Sequence, residues 1–373
     1  MSGKRIKILH VVFSLDAGGM ENGLVNVARR LNPAEFEVHV CCLNRRGAFA
    51  ERIPNPNNVY ALGRTEGFDR RALLKLFRLI SQIQPDVIHP HNLGPLMYSS
   101  LATLFGLRCR VVQGEHSLLD AAERSPKRLW QRRVFYRSCR KVHTVSFGQR
   151  DQLLRLSFPE EKIVTIVNGV DTTRFVPGEK YKVRQQLGLF PADSQVIGIV
   201  GRFAGVKRHI DLLEAFDLLE VENPKLHLLI VGGGGPEAER VSNRAKASRF
   251  SDRIHLTGFQ KEPALFYQTM DLLAVPSILE GMSNVVLEAM ACETPVLAHH
   301  ACGNAEMLVS GEDGVISDLS TVDKLRCELQ RMLSDATRLS ELGRRARQNV
   351  IAKFSLQKMV EGYEALYRSV CGS

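Results

Sequence analysis

Short apolar runs recur along the chain, and most give way to a turn and then to a segment with apolar positions at helical spacing. In the first half the runs are Arg5–Phe13, Glu37–Leu43, Asp86–His89, Arg110–Gln113 and Lys141–Val145. In the second half they are Val196–Gly201, Leu226–Val231, Ile254–Thr257, Leu272–Val275 and Pro295–Ala298. Runs of this length with few polar interruptions predict strands buried on both faces, as in a parallel sheet. The segments between them predict helices: about Glu21–Arg30, stopped by Asn32 and Pro33; Asp69–Ile80; and Arg208–Leu219, where Leu212, Phe216 and Leu219 recur at helical spacing. Between the two series, Asn168–Gly178 is rich in turn formers and breaks the periodicity, which places a linker there. The expected fold is α/β, with two Rossmann-like, doubly wound parallel-sheet domains facing a cleft. Their expected bounds are 1–170 and 171–356, followed by a last helix within 357–373.

Composition narrows the class. The 373 residues are 44% hydrophobic and 24% charged, ordinary for a globular chain. No apolar run reaches the roughly 18 residues of a membrane-spanning helix. Met1–His10 lacks the long apolar core and small-residue cleavage site of a secretory signal. The eight cysteines are scattered without a Cys-x-x-Cys pair, as expected for reduced thiols in a cytoplasmic protein.

The net charge of +10 is unevenly spread. Residues 1–170 carry 26 Lys and Arg against 14 Asp and Glu, whereas the remainder carries 24 against 26. Ten basic residues fall between Arg124 and Arg155, together with Trp130, Phe135 and Tyr136. Such a run is either a solvated helix face or a contact for an anionic membrane or acidic polymer. The chain carries no ribonucleoprotein, zinc-finger or helix-turn-helix signature, so nucleic acid is not an expected partner.

Ligands of open parallel sheets bind beyond the carboxyl ends of the strands. After Val196–Val200 comes Gly201-Arg-Phe-Ala-Gly-Val-Lys-Arg208, which puts Arg202 and Lys207 at a turn leading into a helix and makes an anion site. Gly232–Gly235, after Leu226–Val231, and Gly18-Gly19, after the first run, would let backbone approach a ligand closely. Glu280 and Glu288 flank the start of another predicted helix, near Ser283, and such carboxylates accept hydrogen bonds from sugar hydroxyls. His89-Pro-His91 invites a zinc reading, but no third ligand lies at suitable spacing, so no metal is expected.

Arg202 with Lys207, and Glu280-x7-Glu288 followed by Ala-Met-Ala291, together resemble the donor-binding domain of retaining family 4 glycosyltransferases, which have the GT-B fold. Asp16-Ala-Gly-Gly19, Leu256-Thr-Gly-Phe259 and Asp271–Ser277 fit the same pattern, so the resemblance spans essentially the whole chain. It implies that Arg202 and Lys207 hold the donor diphosphate, that Glu288 meets the ribose, and that Glu280 meets the transferred sugar. Met282, Ser283 and Asn284 would contact that sugar and its phosphate through their backbone. Gly258 and Phe259 would lie beside the base, and Gly18 and Gly19 near the phosphates. His116, in Gly114-Glu-His-Ser117, matches the family's active-site histidine, and His91 would lie on the acceptor side. The last helix would cross back to the first domain. Many members have Phe-Gly where this chain has Met282-Ser283, which leaves the sugar's identity open.

The implied function is a metal-independent retaining transfer from a UDP-, GDP- or ADP-sugar to a hydroxyl of a saccharide, lipid-linked in the fullest form of the reading. The setting would be cell-surface polysaccharide or glycolipid synthesis. The absence of an Asp-x-Asp pair accords with needing no divalent metal or other cofactor. The basic first domain would sit against the anionic inner face of the membrane. A sugar-nucleotide epimerase or phosphorylase of the same fold is the enzymatic alternative, and a basic polymer- or nucleic-acid-binding protein the non-enzymatic one.

Overall fold

The computed structural model describes residues 5–16, 18–104, 109–219, 223–279, 281–300 and 303–372. They form two units, the first running to Asn168 and resuming at Leu356, the second spanning Gly169–Ser355.

In the first unit β1 (Ile6–Ser14), β2 (Phe36–Arg45), β3 (Val59–Ala61), β4 (Val87–Pro90), β5 (Arg110–Glu115), β6 (Cys139–Thr144) and β7 (Ile163–Thr165) make one sheet in the order β3-β2-β1-β4-β5-β6-β7. The strands pair in parallel throughout this sheet. The connecting helices include α1 (Gly19–Arg30), α2 (Arg70–Ile83), α3 (Leu93–Thr103), α4 (Pro126–Tyr136) and α5 (Phe147–Arg155). Alternation along the buried strands divides the core. Leu9, Val11 and Ile88 face α2 and α3, while Ile8, Val87 and Val112 face the opposite way, toward α1. The α2 start follows from Asp69, whose carboxylate accepts from the backbone N–H of Arg71 at 2.8 Å and of Ala72 at 3.1 Å.

The second unit repeats the plan. Strands β8 (Gln195–Val200), β9 (Leu226–Val231), β10 (Ile254–Leu256), β11 (Leu272–Val275), β12 (Val296–His299) and β13 (Val315–Ser317) are ordered β10-β9-β8-β11-β12-β13. Its helices are α6 (Lys180–Leu187), α7 (His209–Leu219), α8 (Ala238–Lys246), α9 (Ala264–Thr269), α10 (Asn284–Ala291), α11 (Asn304–Met307), α12 (Val322–Leu333) and α13 (Ala336–Lys353). The periodic residues Leu212, Phe216 and Leu219 of α7 are buried against Ile197, Leu228 and Ile230 of the sheet, as their spacing predicts.

The chain ends in α14 (Leu356–Cys371), which belongs to the first unit. Its Leu356, Met359, Val360, Tyr363, Leu366, Tyr367 and Val370 are buried with Ile8, Val27 and Val112. Burying a large apolar side chain contributes about 1.5–3 kcal/mol, so packing rather than the exposed Arg368–Glu35 ion pair seats this helix. Among the described residues no helix is long and apolar enough to cross a membrane.

Candidate functional site

Each sheet reverses its strand order once, between β1 and β4 in the first unit and between β8 and β11 in the second. Loops leaving the carboxyl ends on either side of such a reversal diverge and leave a crevice, where ligands of these folds bind. Most of the predicted residues lie after these strands.

In the second unit β8 runs into Gly201, whose φ of 152° suits glycine, and then into a single 3-10 turn over Gly205–Lys207. Arg202 is exposed and makes no hydrogen bond or ion pair among the described residues. Its stem passes over Gly235, where a Cβ would lie 2.9 Å from Arg202 Cγ. Lys207 is half-buried, with its stem passing Gly201. Arg208 has a different task. In a left-handed conformation at φ 56°, it turns inward to Asp211 and to the carbonyls of Leu319 and Ser320, anchoring the start of α7. Adjacent basic residues are thus divided between a structural tether and outward charge.

The glycine run after β9 lets neighbouring loops close onto it. A Cβ on Gly232, at φ 127°, would strike the Gly201 carbonyl, and one on Gly235, at φ 89°, would strike that of Phe203. Phe203 N–H donates to Gly234 at 3.0 Å, and Gly232 N–H donates to Gly258 at 2.9 Å. The glycines therefore let three loops lie in van der Waals contact and fix the Arg202 turn. Gly258 is left-handed at φ 70°, and the following Phe259 is 61% exposed, an uncovered aromatic face at the end of β10.

After β11, Ile278 N–H donates to the Val206 carbonyl at 3.0 Å, tying this loop to the basic turn. Glu280 lies outside the described residues. Met282 and Ser283 are buried, and Ser283 is the N-cap of α10, which begins at Asn284. One turn into α10, the Glu288 carboxylate accepts from the Tyr267 hydroxyl at 2.7 Å. Burial pushes the Glu288 carboxyl up to about 7, against the opposing pull of that hydrogen bond and of Arg174. The group is poised to change charge near neutrality, and a donor of hydrogen bonds arriving at Glu288 favours its ionised form.

In the first unit Gly18 is the N-cap of α1, without a capping side chain, and Gly19 begins the helix. Gly18 is extended at φ −161°, so its conformation does not demand glycine, but a Cβ there would meet the Glu21 carboxylate. His116 follows β5 and is half-buried. His91 is 2% exposed, and both its ring nitrogens are engaged, Nε2 with His10 Nδ1 at 2.9 Å and Nδ1 with His116 Nε2 at 2.7 Å. It therefore offers an acceptor no free nitrogen. The sequence also hides a third ligand candidate beside His89 and His91. Parallel pairing sets His10 opposite His89, and ring nitrogens of His10, His89 and His91 lie within 4.8 Å of one another.

The basic run is likewise only partly a surface. Arg132 is 2% exposed, pairing with Glu115 at 3.4 Å and Glu123 at 2.6 Å, while Tyr136 donates to Glu115 at 2.6 Å. This inward pair anchors α4 and leaves Trp130 at 63% and Val134 at 37% exposure, flanked by exposed Lys127, Arg133 and Arg137.

Residues 182–349 match the glycosyl transferases group 1 family, and residues 17–174 match glycosyltransferase family 4. Over 214 residues the chain is 32% identical to the D-inositol 3-phosphate glycosyltransferase of Segniliparus rotundus, covering 56% of this chain and 47% of that protein. It thus spans about half the length of that relative. Over 377 residues it is 22% identical to the UDP-Gal:alpha-D-GlcNAc-diphosphoundecaprenol alpha-1,3-galactosyltransferase of Escherichia coli, covering 97% of each. Among solved structures, Anabaena HepE in complex with UDP and glucose superposes with a TM-score of 0.86 at 20% identity, over 98% of this chain and all of that one. The shared fold is GT-B. With one family match on each half of its length, the chain belongs to the glycosyltransferases, family 4 in its first half and group 1 in its second.

Proposed function

We propose that the protein transfers a sugar, with retention of configuration, from a nucleoside diphosphate sugar to a hydroxyl of a saccharide acceptor in polysaccharide or glycolipid synthesis. One observation carries this reading: at the β8/β11 reversal, outward Arg202 and Lys207 at the start of α7 share a loop system with the Glu288–Tyr267 pair. The two cations and the helix N-terminus suit a diphosphate, and the carboxylate suits ribose hydroxyls. As the glycosidic bond to the donor breaks, negative charge grows on the departing phosphate. Fixed positive charge aimed there lowers the barrier without reorganising water. Retention follows when that phosphate oxygen takes the acceptor's proton on the face from which it departs. His116 meets the transferred sugar, Gly258 and Phe259 lie by the base, and the backbone at Met282, Ser283 and Asn284 serves the sugar and its phosphate. Gly18 and Gly19 add backbone N–H groups for the phosphates.

Arg202 and Lys207 supply the charge that a divalent cation would otherwise bring, so the reaction proceeds without metal. Incubating the protein with candidate acceptors and UDP-, GDP- and ADP-sugars, with product identification by mass spectrometry, tests the reaction. EDTA is expected to leave its rate unchanged. A complete loss restored by magnesium would contradict the metal-free mechanism.

The acceptor is proposed to be lipid-linked and reached at an anionic membrane surface. The Lys127–Trp130–Val134–Arg137 face of α4 has the aromatic and cationic character of an interfacial helix. The full-length likeness to a transferase whose name contains a diphosphoundecaprenol substrate supports the same reading. The protein is expected to sediment with vesicles rich in phosphatidylglycerol at low salt, and to release at about 0.5 M salt. Trp130→Ala should weaken that binding. Indifference to anionic vesicles would make the α4 face a solvated surface.

A further inference from the structure

At the β1/β4 reversal of the first sheet, five histidines occupy one layer. The pairs His10 with His89, His91 with Gly114 and Gly114 with His143 are in register across β1, β4, β5 and β6. Gly114 leaves the gap they fill: a Cβ there would lie 2.9 Å from His116 Nε2, 3.0 Å from His89 Nε2 and 3.1 Å from His91 Nδ1. Tyr363 and Tyr367 of α14 cover the layer, Tyr367 through its hydroxyl to His89 Nδ1 at 2.9 Å. His143 bonds the Ile166 carbonyl through Nε2 at 3.3 Å, which fixes its proton on that nitrogen.

The remaining three rings form a line, His10 Nδ1 to His91 Nε2 at 2.9 Å and His91 Nδ1 to His116 Nε2 at 2.7 Å. Burial holds His10 and His116 down to about 3 and His91 well below its ordinary value, so every ring in the line is neutral at pH 7. A contact between neutral imidazoles needs one N–H and one bare nitrogen, so the protons can be arranged in only two ways. In one, all three rings carry the proton on Nδ1. In the other, all three carry it on Nε2. His10 Nε2 is buried and has no partner. The second arrangement would leave an orphaned N–H there, rarer and costlier than a bare ring nitrogen. The first is therefore favoured.

We infer that His10 and His91 are positioning residues that set the tautomer of His116, holding its proton on Nδ1 so that it meets the transferred sugar as a neutral hydrogen-bond donor. This rests on the reading of His116 given above. It assigns His116 to donating toward a sugar oxygen, not to removing the acceptor's proton. It also explains why a buried HisxHis pair and a third histidine from a distant strand converge behind one half-buried ring.

Histidine-selective 15N NMR of the free protein tests the tautomer directly. The expected spectrum at pH 7 shows His116 neutral and protonated on Nδ1. His91→Phe removes the N–H that His116 Nε2 accepts, so His116 should shift toward the Nε2–H form, the ordinary preference of a free neutral imidazole. Its kcat should fall about 10- to 100-fold, with donor KM changed much less. His10→Asn places an amide N–H near the position of Nδ1 and should keep most of the turnover and the wild-type His116 signature. Should His91→Phe fail to fold, the wild-type spectrum and His10→Asn still decide. A wild-type His116 protonated on Nε2, or a His116 tautomer unchanged in folded His91→Phe, would overturn the relay. Stoichiometric zinc uptake that abolishes the His10, His89 and His91 signals would overturn it too, replacing it with a metal centre. Normal transfer by His116→Ala would instead remove the catalytic reading while leaving the tautomer measurement standing.

Discussion

Lys207→Ala is expected to lower the turnover of sugar transfer about 100- to 1,000-fold while leaving the fold and thermal midpoint nearly unchanged. The rate loss follows from where charge develops. The bond that breaks leaves a full negative charge on the donor phosphate, and Lys207 stands at the last residue of the 3-10 turn that leads into α7. The retained fold follows from its half-exposed position in a surface turn, outside the packed core. The neighbouring arginine provides the contrast. Arg208 is bound to Asp211, Leu319 and Ser320, so Arg208→Ala would leave those acceptors unpaired and loosen the turn itself. Steady-state kinetics with the donor found by screening, together with thermal melts of both variants, separates the two roles. Near-normal turnover by Lys207→Ala would overturn the placement of the donor diphosphate.

That contrast marks the boundary of what the sequence made legible. Apolar runs identified the central strands to within one or two residues, because burial on both faces leaves a run of one character. The four edge strands, β3, β7, β10 and β13, have three residues each and pair on one side only, so little distinguishes them from loop, and of the four only β10 stood out as an apolar run. The 232–235 glycines were visible as a place of close approach. That they approach the Gly201 and Phe203 carbonyls depends on loops from other strands. His89, His91 and His116 stood out at strand ends, whereas His10 lay inside an apolar run. Only the pairing of β1 with β4 makes it their neighbour. In α4 the usual rule is inverted. An arginine faces the core because Glu115 and Glu123 await it, and the tryptophan faces out, so composition identified the basic segment but misassigned Arg132 to its surface.

Glu288 carries the second large effect, and its sign can be worked out. Its carboxyl is raised by burial from an ordinary 4.5 to about 7, so between those values the folded protein holds a proton that the unfolded chain releases. The stabilisation this gives the ligand-free protein is complete below about pH 4.5 and is lost as pH rises through about 7. Donor binding should run the other way. Ribose hydroxyls donate to the carboxylate, so binding favours its ionised form and releases the proton. Donor KM is therefore expected to fall as pH rises from 6 to 8, while the thermal midpoint of the ligand-free protein drifts down over the same range. Glu288→Gln keeps the size and an acceptor oxygen for Tyr267 but cannot ionise, so it should flatten both profiles. Glu288→Ala also strands the Tyr267 hydroxyl, which donates to Glu288 at 2.7 Å, and should lose most transfer. The Gln variant separates charge from packing. If it kept the wild-type pH dependence of donor KM, the titrating group would lie elsewhere and Glu288 would be a packing partner of Tyr267. If it flattened the profile and raised KM at pH 8, the carboxylate would be the group that recognises the ribose.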